Sequence, residues 1–326
     1  MPEKTYVEAI RETLAEEMRR DENIIVYGLD VSLGYLSGAT KGLMEEFGEG
    51  RVKDTPISEQ TIVGMAVGAA IMGMRPVPEI QFSDLLTLCM DQITNQAAKL
   101  RYMSGGQISI PITIRTPGGF WGSFAAQHSQ SLESWFMHVP GLKVVMPSTP
   151  ADAKGLLTSA IRDDNPVLFL EHKNLYKVKG EVPEGEYAIP FGLADIKRKG
   201  RDVTIVGISL MVHRCLEAAE ELKREGIDVM IIDPRTLNPL DKATIIDSVK
   251  ETNRLVIVEE GCKTGGVGAE IAAIAAEEAL DFLDAPIKRV AAYDCPIPFS
   301  PPLENFVIPD VNRIIQAVKE TVRGRC

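Results

Sequence analysis

The stretch Thr55–Asp84, "TPISEQTIVGMAVGAAIMGMRPVPEIQFSD", joins a helix pattern directly to a strand pattern. Ser58 and Glu59 open an apolar run rich in glycine, and the spacing predicts a helix over Gln60–Met74. "RPVPEIQF" follows without polar alternation, as expected of a strand buried on both faces. The preceding "NIIVYG" reads the same way. Two such strands with a helix between them form a parallel pair covered by a crossover helix, which places the chain in the α/β class.

Working outward, the pattern repeats. "IPITIRTP", "LKVVMPS" and "PVLFLEH" are further strands, with helices expected over Leu85–Arg101, Ser129–His138 and Ala151–Ile161. From Lys177 to Phe191, "KVKGEVPEGEYAIPFG" turns rich in Gly, Pro and charge and reads as a linker. A second α/β series follows: "DVTIVGIS", a helix through "MVHRCLEAAEELKREG", "DVMIIDP", a helix from Asp241, "RLVIVEE", a helix after Gly268, "IKRVAAYD" and a last helix over Val311–Val322. Two parallel-sheet domains are expected, 1–185 and 186–326.

Composition removes several function classes. A net charge of −11 without clustered Lys and Arg disfavours a nucleic-acid surface. The five cysteines, Cys89, Cys215, Cys262, Cys295 and Cys326, are scattered without a CxxC pair, so neither a disulfide framework nor a zinc site fits. The start "MPEKTYVEAIRETLAEEMRRDENI" is a charged amphipathic helix with no apolar signal core, and Ile62–Met74 is too short to span a bilayer. A cytoplasmic protein that binds no membrane and no nucleic acid is the expectation.

Glu59 is the acid that asks for an explanation. On pattern alone it caps a helix at the positive end of its dipole. Yet Gly64, Gly68 and Gly73 leave one side of the run bare, at about 1 kcal/mol each relative to alanine in a helix interior, so that side is suited to close approach by another backbone or a flat ligand. "DTPISEQTIVGMAVGAA", "DQITNQAAKLRYMSGG", "HSQSLESWFMHVPGLKVVMPSTPADAKGLL", "AIRDDNPVLFLEHK" and "DPRTLNPLD" resemble, in order along essentially the whole chain, the β subunits of the thiamine-diphosphate-dependent dehydrogenases of 2-oxo acid and acetoin dehydrogenase complexes, in the transketolase-like superfamily. The resemblance implies a pyrimidine-binding domain followed by a transketolase C-terminal-like domain. It also implies that Glu59 hydrogen-bonds a ring nitrogen of the cofactor's aminopyrimidine and so promotes loss of the thiazolium proton. A carboxyl sheltered from cations suits that proton sharing. Phe82 is implied to pack near the same ring, although a core aromatic is an equal account of it.

The GDG stretch with which one-chain thiamine enzymes hold Mg²⁺ and the diphosphate is absent from this sequence. The resemblance therefore implies half a site: thiamine diphosphate shared with a dehydrogenase α subunit that holds the Mg²⁺, in an assembly of two α and two β chains with β–β self-association. It implies further a lipoyl domain and the core of a dihydrolipoyl acyltransferase as partners. "CKTGGVGAE" at Cys262–Glu270 invites an anion-binding reading, but a lone glycine cluster is more simply a helix start.

Of His128, His138, His172 and His213, His128 stands apart because it ends the glycine- and aromatic-rich loop "TPGGFWGSFAAQHSQS". The resemblance gives it a role in acyl transfer, moving a proton or stabilising charge. His138 is expected at a helix end and His172 in a structural role. In "AIRDDNP" the resemblance implies a structural potassium ion at Ile112, Ala160, Ile161, Asp163 and Asn165, since terminal helix carbonyls suit a hard cation. A turn that closes on itself is the other reading. The substrate expected is acetoin or pyruvate, ahead of a branched-chain 2-oxo acid, with Trp121 and Phe124 departing from the family's simpler glycine loop. A non-catalytic α/β scaffold is the competing class, and a fragment of transketolase or a related one-chain thiamine enzyme is the competing enzyme reading.

Overall fold

The computed structural model describes residues 1–34 and 37–323, so Cys326 lies outside the described residues. Two compact units form, one from Met1–Gly118 with Trp135–Phe191, the other from Gly119–Ser134 with the chain from Gly192 onward. The sequence reading had put the whole loop Gly119–Ser134 within 1–185.

In the first unit six parallel strands lie in the order Lys143–Val145, Val167–His172, Thr113–Gly118, Arg75–Glu79, Ile24–Gly28 and Val52–Asp54. Every residue of Thr113–Gly118 and Val167–His172 is buried, which explains their lack of polar alternation. The opening helix Tyr6–Arg20 starts with a capping box: Glu8 N donates to Thr5 Oγ1 at 3.3 Å, and Thr5 N donates to the Glu8 carboxylate at 2.8 Å. Its stripe of Ile10, Leu14 and Met18 is fully buried, and it packs on the helix Pro150–Arg162.

Two helices differ from the sequence reading. The first runs Glu59–Ile71 rather than to Met74, because Gly73 adopts φ +92° just past its end and stops it. Gly73 is thus a terminator, not part of the bare helix face. The helix expected over Leu85–Arg101 is instead a 3-10 segment Ser83–Cys89, a π turn Gln92–Ala97 and a short α turn Leu100–Met103. Thr87 Oγ1 donates to Asp84 O at 2.9 Å and Thr94 Oγ1 to Met90 O at 2.6 Å, so hydroxyls engage the carbonyls of the preceding turn. Likewise Ser129–His138 is helical only over Glu133–Met137.

The strand ends of this unit are tied by a buried ion network. Arg115, 1% exposed, donates from Nη1 to Glu79 Oε2 at 2.8 Å and from Nε to Glu171 Oε1 at 2.7 Å. Tyr176 OH completes it with a 2.8 Å bond to Glu171 Oε2. Burial raises the Glu171 carboxyl above its ordinary value, opposed chiefly by the Arg115 charge.

The second unit holds five strands in the order Lys288–Ala292, Leu255–Cys262, Val203–Gly207, Val229–Asp233 and Asp195–Arg198. All pairings are parallel except the last, an edge strand that the sequence reading missed. Val203, Ile205, Val229, Ile231, Val256 and Val258 build the core with Leu222 and Val318 from the flanking helices. The glycine-rich turn before the helix Val267–Glu278 holds an anion, but the anion is the chain's own: Gly268 N donates to Glu259 Oε1 at 3.1 Å. A Cβ on Gly266 or Gly268 would stand 2.5 or 2.6 Å from the same carboxylate, so these glycines make room for it. Burial pushes the Glu259 carboxyl up to about 7, against the helix N–H bonds. Glu133, close to Gly261, is pushed up to about 8 by burial and then by the charges of Glu259 and Glu260.

Two outcomes follow from these buried charges. Arg115→Met leaves two buried carboxylates without their cation and is expected to lower unfolding stability by about 3–5 kcal/mol in thermal or denaturant melts; an unchanged midpoint would show that the network contributes nothing. The raised Glu133 and Glu259 carboxyls hold protons in the folded state that the unfolded chain has lost, so their contribution is intact below pH 4.5 and declines as pH rises to about 8. Glu133→Gln should therefore melt progressively above the parent protein as pH is raised through that window. A gap that is constant with pH would assign the titration elsewhere.

Candidate active site

Glu59 is the first residue of the helix Glu59–Ile71 and is half-buried. Among the described residues no cation and no hydrogen-bond donor is paired with it; the neighbouring Ser58 Oγ donates to Thr61 Oγ1 instead, at 2.8 Å. The helix packs on the segment Ser83–Cys89, where burial, and then the charge of Glu59, push the Cys89 thiol up to about 12. Phe82 immediately precedes that segment, three residues past the end of the strand Arg75–Glu79. Its buried ring lies under the ammonium of Lys173, 5.1 Å from Nζ to the centroid, and Lys173 is itself buried. Glu59 thus stands by the Cys89 end of that segment and Phe82 by its Ser83 end, with Lys173 over Phe82 a member the sequence did not single out. The bare helix face is real at Gly68, where a Cβ would meet nothing within 4 Å, and Met65, Ile71 and Met72 beside it are exposed.

His128 lies in the second unit, in the loop between Gly119 and Ser134, and is half-buried. Gly119, Gly122, Ser123 and Ala125 all have positive φ, at +77°, +52°, +69° and +58°. Ser123 and Ala125 pay for that conformation with steric strain that glycine escapes. Trp121 and Phe124 stack at 5.1 Å, so these two aromatics order one another within the loop. Gly119 N donates to Gln130 O at 3.3 Å. Phe120 N and Ser131 Oγ both donate to Glu260 Oε1, at 2.8 and 3.1 Å, and Ser123 N donates to the Glu304 carboxylate at 3.3 Å. A cavity of about 630 Å³ adjoins the loop, lined by Gln127, Ser129 and Gln130 on one side and Cys262, Asp294 and Cys295 on another. No lysine or arginine lines it, and Ser129 Oγ is buried there without a hydrogen-bond partner. His138 directly follows the helix Glu133–Met137, His172 Nδ1 accepts a 3.1 Å bond from Asn174 N, and His213 sits in the helix Leu210–Arg224.

Ile112, Ala160, Ile161, Asp163 and Asn165 meet in the first unit, and the chain serves their acceptors itself. Ile112 O accepts from Val167 N at 2.8 Å and Ala160 O from Asp163 N at 3.3 Å. Arg75 Nη1 donates to Ile161 O at 3.1 Å and to Asp163 O at 3.2 Å. The Asp163 carboxylate pairs with Lys143 and takes both Asn165 N and Asn165 Nδ2 at 2.8 Å; burial opposes ionisation, yet these bonds hold its carboxyl below the ordinary value. Arg101 Nη1 donates to Asn165 Oδ1 at 2.9 Å. Arg75 and Lys143 are thus the cations that serve this turn among the described residues, and each carbonyl named here keeps a lone pair beyond the single bond given for it.

The sequence reading missed Lys173, Glu260 and Glu304. Their signal is tertiary: each meets its partner only after folding, at separations of 91, 140 and 181 residues.

Family models set these units in context. "Transketolase, pyrimidine binding domain" matches residues 3–179 and "Transketolase, C-terminal domain" matches 192–314. The chain is 50% identical to the "Acetoin:2,6-dichlorophenolindophenol oxidoreductase subunit beta" of Cupriavidus necator, over 97% of this chain and 96% of that one. It is also 50% identical to the "Pyruvate dehydrogenase E1 component subunit beta" of Rickettsia felis, over 97% of both. A solved structure described as a split gene transketolase, inactive β4 tetramer, superposes with a TM-score of 0.82 at 23% identity over 98% of both chains, a likeness of fold. The chain belongs to the family of β subunits of thiamine-diphosphate-dependent 2-oxo acid and acetoin dehydrogenases, built from a transketolase pyrimidine-binding domain and a transketolase C-terminal domain.

Proposed function

We propose that this chain supplies the aminopyrimidine half of a thiamine diphosphate site, with Glu59 as its catalytic acid. The observation that carries the reading is a half-buried carboxylate with no partner among the described residues, set at the start of a helix whose Gly68 face is bare. The site takes the cofactor's ring by a hydrogen bond from or to the Glu59 carboxyl, beside the wall made by Phe82 and Lys173. Thiamine diphosphate supplies the electron sink for cleavage of a carbon–carbon bond next to a carbonyl. Glu59 holds and returns a proton at its carboxyl oxygen, and His128 moves a proton during transfer of the acyl group. With no GDG stretch in the chain, a dehydrogenase α subunit completes the site and holds Mg²⁺, in an assembly of two α and two β chains.

The substrate proposed is acetoin or pyruvate, with the acyl group passed to a lipoyl domain on the core of a dihydrolipoyl acyltransferase. The acetoin and pyruvate relatives are equally similar to this chain, so overall identity does not separate the two. A cytoplasmic location belongs to the proposal: Cys89, Cys215, Cys262 and Cys295 are free, and no helix among the described residues is long and apolar enough to cross a membrane.

The test is dye-coupled oxidation by the chain reconstituted with its α subunit, thiamine diphosphate and Mg²⁺, comparing acetoin, pyruvate and a branched-chain 2-oxo acid. Turnover is expected to require both chains and to fall by about a hundred-fold or more in Glu59→Gln, which keeps the shape and loses the proton transfer. Micromolar binding of thiamine diphosphate by this chain alone would overturn the half-site reading. Potassium has a separate check: replacing it by choline is expected to leave the thermal midpoint unchanged, and a rise of several degrees on adding K⁺ would show that an ion displaces Arg75 from its carbonyls.

A further inference from the structure

The loop that carries His128 is built in a conformation it cannot hold alone. Between Gly119 and Ala125 four residues have positive φ, and two of them, Ser123 and Ala125, bear side chains. Such residues are strained and persist only where the surroundings over-determine them. Phe120 at the start of the loop is seated in the core of the second unit, while Ser123 and Ala125 themselves lie outside it.

Beside the Gly119 N–Gln130 O bond and the Trp121–Phe124 stack, one side-chain oxygen ties both ends of the loop to the sheet. Glu260 Oε1 accepts from Phe120 N at 2.8 Å and from Ser131 Oγ at 3.1 Å, so it bonds the first and last residues of the loop together. Glu260 is buried and stands at the end of the strand Leu255–Cys262, on the rigid sheet of the second unit. Arg214 lies close enough for its charge to act on Glu260, and its guanidinium is 5.3 Å from the Phe120 ring centroid. The carboxylate thus takes two donors on one oxygen, in charge-assisted bonds about twice as strong as neutral ones. Glu304 adds a weaker tie at mid-loop, through Ser123 N.

We infer that Glu260 is a positioning residue for His128: its carboxylate latches residues 120–131 into a closed loop and thereby sets where the histidine stands during the reaction. The inference rests on the proposed role of His128. A latch of this kind lowers the entropy the loop would lose in reaching a reactive arrangement, so its loss reduces turnover more than it weakens substrate binding.

The experiment combines hydrogen exchange on the full chain with turnover of the complex reconstituted with the α subunit, for Glu260→Ala, Glu260→Gln and His128→Ala. In Glu260→Ala, exchange at the Phe120 and Ser123 amides should quicken by about ten-fold or more while the core strands keep their protection. Turnover should fall by about a hundred-fold with KM changed by no more than about two-fold. Glu260→Gln retains an acceptor oxygen for both donors and should recover most of the loss; it also serves if the alanine variant does not fold. Unchanged exchange in the loop of Glu260→Ala overturns the latch, whatever the turnover. Quickened exchange with full turnover, while His128→Ala is inactive, overturns the positioning role. Full turnover in His128→Ala sinks the reading of the histidine instead, and the latch then stands or falls on exchange alone.

Discussion

Arg115 is the constraint on which the first unit depends. A guanidinium at the centre of a parallel sheet, nearly sealed from water, is stable only because Glu79 and Glu171 on the two flanking strands each give it a carboxylate. Removing ions from water costs several kcal/mol apiece, and the geometry here recovers it through directed bonds, with Tyr176 taking the remaining oxygen of Glu171. The consequence is positional. Phe82 follows Glu79 by three residues, Lys173 follows Glu171 by two, and the chain leaves for the His128 loop at Gly118, three residues past Arg115. Fixing the three strand ends against one cation fixes the starting points of the segments that carry Phe82, Lys173 and His128, at the carboxyl ends of parallel strands where α/β proteins place their ligands.

Carboxylates do different work in the two units, and their surroundings decide which. Glu59 sits at a helix start with no partner among the described residues and is half-buried, which suits the proton exchange proposed for it. Glu259 reaches from the strand Leu255–Cys262 to the start of a helix, is buried there, and takes the Gly268 N–H on one of its oxygens. The glycines around it, which on sequence alone resemble an anion-binding turn, are there because a Cβ would collide with this internal carboxylate. The same motif thus distinguishes a ligand site from a structural seat only through what already fills it.

The turn at Ala160–Asn165 shows the same competition. Carbonyls at a helix C-terminus need donors or cations, and either a potassium ion or a guanidinium satisfies the requirement. Arg75 comes from a neighbouring strand and Lys143 from another, and neither is adjacent to the turn in sequence. Local pattern identifies the need, and the fold chooses what meets it.

The sequence by itself determined the α/β class, most of the strands and the place of Glu59, because burial on both faces of a strand and an apolar run opening behind polar residues leave local signatures. It also shows no GDG stretch, which is legible because that motif is contiguous, and the half-site proposal starts from this. The helix boundaries at Ile71 and across Ser83–Met103 were decided by a left-handed glycine and by hydroxyl-to-carbonyl bonds, which propensity alone does not rank. The tertiary structure decided everything that depends on groups distant in the chain: Lys173 over Phe82, Arg115 between its two acids, and Glu260 closing the His128 loop from 140 residues away. A single carboxylate in "VEEG" carries no mark of its partners, because hydrogen bonds across the fold are set by where strands end and not by what lies next to them in sequence.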